Sequence, residues 1–206
     1  MEAAVRARVV ELFGGARGSV EAVLPFVAFT TAYVLTDEVR PAVGFGLGIA
    51  VLLLLVRLGQ RQSTEFVRNG LFGIGIGAVI AMASGRAEAA FLPGIVTNAA
   101  YVLGLTISIL VRWPAVGFVV GGVLGDSTGW RDDPAIVRLS NRLTLILLVP
   151  MALRVAVQYP LYAAGEVGWL GVARVALGWP LTAVALAVAA ALLARGSTPL
   201  HEAPAR

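Results

Sequence analysis

The chain has 206 residues, 58% of them hydrophobic and only 14% charged, with a formal net charge of +4. A soluble domain carries about 25% charged and about 45–50% apolar residues, so this chain lacks the polar surface of a globular domain and is expected to be an integral membrane protein. It contains no cysteine, which excludes disulfides and thiol chemistry, and its arginines are scattered between apolar runs, which argues against nucleic acid as a partner.

In chain order, residues 1–18 (MEAAVRARVVELFGGARG) lack the apolar core of a cleavable signal. They read as a cytoplasmic N-terminal segment, either an interfacial amphipathic helix with Arg6 and Arg8 toward headgroups or a plain tail. Residues 19–194 read as one transmembrane domain. Apolar runs near 20–36, 41–57, 66–84, 91–111, 136–159 and 168–194 approach or exceed the roughly 20 residues that cross a bilayer. Helices are expected, because a spanning backbone must satisfy its own hydrogen bonds and these runs lack barrel-like alternation. Residues 114–125 (PAVGFVVGGVLG) are too few to span and predict a short re-entrant or interfacial helix between spans four and five. Residues 195–206 read as a disordered cytoplasmic tail. The predicted fold is all-α: a polytopic transmembrane helical bundle of six spans.

All sixteen basic residues are arginine. They concentrate in alternate connections: Arg6, Arg8 and Arg17; Arg57, Arg61 and Arg68; Arg112, Arg131, Arg138 and Arg142; Arg195 and Arg206. The intervening connections carry Arg40, Arg86 and Arg174, one apiece. Arginine-rich loops stay in the cytoplasm, so both termini are predicted to be cytoplasmic in a bacterial cytoplasmic membrane. Asp132, Asp133 and Pro134 make a helix start, and Arg112, Arg138 and Arg142 are expected to reach headgroups from there.

Arg154 is the exception, because it falls inside the fifth run. Pro150 lies one turn before it and is expected to kink the helix; Gln158 lies one turn after, on the same face. An arginine at membrane depth points into a bundle or a watery cavity, or pairs with a phosphate or an outer carboxylate such as Asp37, Glu38, Glu88 or Glu166. In the fourth run Asn98, Tyr101, Ser108 and Arg112 share a face, as do Thr30, Tyr33 and Asp37 in the first. Such stripes serve interhelical hydrogen bonding or a polar path. Arg154, Gln158, Asn98, Tyr101 and Ser108 therefore make up the candidate intramembrane polar site. Gly44 with Gly48, Gly73 with Gly77, and Gly117 with Gly121 are small-xxx-small pairs expected to pack helices closely.

GDSTG at 125–129 matches a nucleophile-elbow spacing, but no strand precedes it and the sole histidine, His201, lies in the tail. No catalytic residue, metal site or cofactor is expected, and an enzyme is not.

Two blocks, FLPGIVTNAAYVLGLTISILVRWPAVGFVVG (91–121) and GWRDDPAIVRLSNRLTLILLVPMALRVAVQYPLY (129–162), resemble an uncharacterised actinobacterial family of multi-pass membrane proteins. Their order, after LPFVAFTTAYVL near the start, is also similar to intracellular septation protein A. Asp132 departs from that pattern, where a basic residue is expected. The resemblance implies a structural or interaction component of the cell envelope, with the lipid bilayer as solvent and a homo-oligomer or envelope proteins as partners. The alternative is a small transporter or channel with a polar path at Arg154, Gln158, Asn98 and Tyr101.

Overall fold

A computed structural model describes residues 15–60, 65–124 and 129–194. The N-terminal interfacial helix, the disordered tail and His201 fall outside the described residues, as does all of the GDSTG stretch except Gly129. Eight α-helices are described: α1 Gly15–Thr36, α2 Val39–Gly59, α3 Glu65–Ser84, α4 Leu92–Leu110, α5 Ala115–Leu124, α6 Pro134–Ala163, α7 Val167–Ala176 and α8 Trp179–Ala194. Two 3₁₀ segments, Ala87–Phe91 and Gly129–Asp132, precede α4 and α6, and no strand occurs among the described residues.

Four stretches are long and apolar enough to cross a membrane: Val39–Gly59, Ala87–Leu110, Pro134–Ala163 and Val167–Leu193. Shorter apolar stretches, Val23–Thr36 and Phe72–Ser84, lie within α1 and α3. Leu35, Phe72, Val79 and Leu110 are each more than 65% exposed. Water would penalise such surfaces, whereas lipid tails are as apolar as leucine. The chain is a membrane-embedded helical protein.

The helix ends follow local chemistry. The Ala135 N–H donates to the Asp133 carboxylate at 2.7 Å, capping α6 where the acid–proline start predicts it. After α6, Gly165 takes a left-handed φ of 73°, and the Gly165 and Glu166 N–H groups donate back to Tyr162 and Leu161. Arg112 ends α4 the same way with φ 58°, its N–H on the Ile109 carbonyl and that of Trp113 on Ser108. A non-glycine residue in that region is uncommon. Arg112 is thus the turn after α4, and no longer on the helical stripe with Asn98 and Tyr101.

The chain divides into two compact units, Met1–Ile95 with Gln158–Val175, and Val96–Val157 with Ala176–Arg206. The first has a core of Phe29, Ala42, Ala81, Phe91, Ile95 and Leu170. The Phe91 ring lies 5.9 Å from that of Phe26 and 6.0 Å from that of Phe29. Close approach is made by glycines: a Cβ on Gly46 would stand 3.1 Å from Phe29, one on Gly77 would stand 2.5 Å from the Ala90 carbonyl oxygen, and one on Gly171 would stand 2.6 Å from Thr30. Of the glycines expected to pack, Gly77 does so within the chain, while Gly44, Gly48 and Gly73 have nothing within 4 Å. The helical period explains this. Gly46 is two residues, roughly 200°, from both Gly44 and Gly48, so the face that meets α1 is not theirs.

In the second unit α5 lies against α6. The Val116 N–H donates to the Thr144 hydroxyl at 3.3 Å, and the Trp130 ring occupies the space where a Gly117 side chain would be. Phe118 bridges Trp130 and Trp113 at ring distances of 6.0 and 5.6 Å, and Arg131 stacks 4.0 Å above Trp113. The surroundings of Gly121 lie outside the described residues. Arg138 and Arg142 are exposed on the first turns of α6.

Candidate functional site: an arginine at a broken helix

The sixth apolar run is not one helix. α7 ends at Ala176 and α8 begins at Trp179, with Leu177 and Gly178 as the turn between them. Gly178 has poor helix propensity, and Pro180 has no N–H to offer the preceding turn. The break leaves the Leu177 carbonyl without a helical donor, which hydrocarbon does not tolerate, while the Gly178 carbonyl keeps the Thr182 N–H at 3.3 Å. Arg154 supplies the donors. Its Nε donates to the Leu177 carbonyl at 2.6 Å, and its Nη2 donates to the Gly178 carbonyl at 2.7 Å and to the Thr182 hydroxyl at 2.5 Å. The Thr182 hydroxyl in turn donates to the Gly178 carbonyl at 3.1 Å.

The junction falls inside two stretches long and apolar enough to cross a membrane, Pro134–Ala163 and Val167–Leu193. Arg154 lies nine residues before the end of α6 at Ala163, and Leu177 ten residues after the start of α7 at Val167. At 1.5 Å per residue each lies about 14–15 Å along its helix from the turn that joins the two helices. The guanidinium also lies at the C-terminal end of α7, where the helix dipole favours a cation. α6 itself continues without interruption through Pro150.

The other members of the predicted polar site are placed as follows. Gln158 is buried, 3% exposed, on α6. Asn98 is half-buried, and Tyr101 is 56% exposed. Ser108 is spent locally: its hydroxyl donates to the Leu105 carbonyl at 2.8 Å and accepts the Ala115 N–H at 3.3 Å, which holds the N-terminus of α5. The structure brings neither Asn98, Tyr101 nor Ser108 to Arg154, whose partners are the backbone and Thr182. In the first unit, Glu88 is engaged by Arg86 at 2.6 Å. That pairing holds Arg86 in its charged form, its pKa raised by the hydrogen bond to Glu88.

Sequence reasoning missed two further arginines. Arg174 is counted above with a connection, but it occupies the last turn of α7, with its guanidinium 3.5 Å above the Phe26 ring and against the space left by Gly94. Arg57, also counted with a loop, is buried in the last turn of α2 and paired through Nε with Glu21 at 2.6 Å. Glu21 at the start of the first run was the available signal, a carboxylate in an apolar helix that needs a cation. In the first unit a hollow of about 20 Å³ lies among Phe26, Phe29, Gly46 and Ala78. It is water-sized and wholly apolar, with no group that would orient a substrate. Among the described residues no cluster of three or more His, Cys, Asp or Glu could hold a metal.

No curated protein and no solved structure matches the chain. A family model described as "Protein of unknown function (DUF3159)" matches residues 13–200, nearly the whole chain. The chain therefore belongs to the DUF3159 family of proteins of unknown function.

Proposed function

We propose that this protein is a structural or interaction component of a bacterial cell envelope, and that it performs no catalysis. In this reading six spans cross the cytoplasmic membrane, α7 and α8 together forming the sixth, with α5 as a re-entrant or interfacial helix and both termini on the arginine-rich, cytoplasmic side. The observation that carries it is the employment of Arg154: the charge that would have lined a polar path is tied to carbonyls of the protein's own broken helix. Ser108 is likewise engaged by backbone. The order of the segments from LPFVAFTTAYVL onward, read in the sequence as resembling that of septation protein A, is consistent with this reading. Gly44 and Gly48, open on α2, leave a notch into which another copy or an envelope protein would fit closely. Crosslinking in cells tests the reading: recovery of a second copy or of a division or envelope protein is expected, and a purely monomeric, partnerless product counts against it.

A transporter is the second reading, favoured by one observation. Discontinuous membrane helices line substrate sites in many transporters, and α7–α8 is discontinuous. Vesicles reconstituted with the wild type and with Arg154→Ala separate the two readings. Solute flux at the protein-free background for both is expected here; flux above background that the substitution changes would establish transport.

A further inference from the structure

Arg154 carries a positive charge into the apolar layer, and all its hydrogen bonds end on neutral oxygens. Among the described residues of its own unit no carboxylate pairs with it. The single N–H of Nε and the two of Nη2 are all in use, one each on Leu177, Gly178 and Thr182. The two N–H groups of Nη1 remain, on a residue that is only partly buried. The bonds to Leu177 and Gly178 also hold the guanidinium back from snorkelling to a headgroup region, because leaving would strip the Leu177 carbonyl of its donor. A membrane-embedded cation with no counter-charge is costly. A guanidinium fixed along one edge, with donors open at its other end, is built to receive an oxyanion.

We propose that Nη1 of Arg154 binds a phosphate-type oxyanion beside the α7–α8 break. The anion comes either from a phospholipid headgroup drawn inward at this point or from a dissolved phosphate entering the bundle. The site does not depend on the proposed function, since a scaffold and a transporter would both need the charge balanced.

The full-length protein in delipidated detergent tests this with two probes. In the lipid arm, native mass spectrometry with phosphatidylglycerol should show about tenfold more retained lipid on the wild type than on Arg154→Gln, the signature of an affinity contribution near 1.4 kcal/mol. In the dissolved arm, inorganic phosphate should raise the thermal midpoint of the wild type and leave that of Arg154→Gln unmoved. Success of the first arm assigns a lipid, and success of the second a soluble anion. Equal behaviour of wild type and variant in both arms overturns the proposal. If the glutamine variant does not fold, Arg154→Lys replaces it, keeping the charge and losing the planar fork. Wild-type retention and phosphate response in Arg154→Lys would likewise overturn the proposal, and a several-fold loss in either would support it.

Discussion

Arg154→Leu is expected to destabilise the protein by about 2–4 kcal/mol, measured as a shift in the unfolding midpoint in mixed detergent micelles. The substitution removes three hydrogen bonds from a charged donor, each worth about 1.5–3 kcal/mol, and strands the partly buried Leu177 carbonyl at about 1–3 kcal/mol, while Gly178 keeps the Thr182 N–H and hydroxyl. These do not simply add. Leucine also removes the cost of holding a charge in the apolar layer, which on insertion scales is about 2.5–3.5 kcal/mol, so the net is smaller than the sum. Thr182→Val provides an internal scale: it deletes one acceptor of Arg154 and the hydroxyl's own bond to Gly178, and leaves both arginine–carbonyl bonds, for an expected loss of about 1 kcal/mol. If Arg154→Leu unfolds at the wild-type midpoint, the Leu177 carbonyl has another donor and the strut assigned to Arg154 is wrong.

The apolar runs were legible because lipid imposes a length on them, and the start of α6 was legible because Asp133 and Pro134 act on the turn they occupy. The break at Leu177–Gly178 was harder to see. Averaged hydropathy runs through Gly178, Trp179 and Pro180 without a dip, and Val167–Leu193 still measures as one span. The pair Gly178 and Pro180 in mid-run was nevertheless a signal, since it predicts carbonyls that need an outside donor. Arg154 was found as an anomaly, but its bonds to Leu177, Gly178 and Thr182 were not foreseen. A polar stripe on α4 says which residues share a face, not which helix that face meets. Arg57 and Arg174 were assigned to connections because arginine was counted by position along the chain. Burial depends on contacts as distant as Glu21 and Phe26, which a local count cannot register.

The glycines expose the same limit and give the sharpest contrast. Gly73 and Gly77 are equivalent in sequence, four residues apart on α3, yet Gly73 faces open space and Gly77 lies against the backbone of the 3₁₀ segment Ala87–Phe91. A Cβ at Gly77 would approach the Ala90 carbonyl oxygen to 2.5 Å, and a main-chain atom cannot rotate away as a side chain can. Gly77→Val should therefore push the segment off α3. It would disturb Ala78, Ala81 and Phe91 in the same core, costing about 3 kcal/mol, the upper end of the usual overpacking range. Gly73→Val, placed in open space, should change stability by no more than about 0.5 kcal/mol. Both values come from the same micellar unfolding measurement. Equal, small effects at the two positions would mean that α3 does not pack on this segment. A large effect at Gly73 alone would put the buried face of α3 on its opposite side, and the first unit would have to be rebuilt around it.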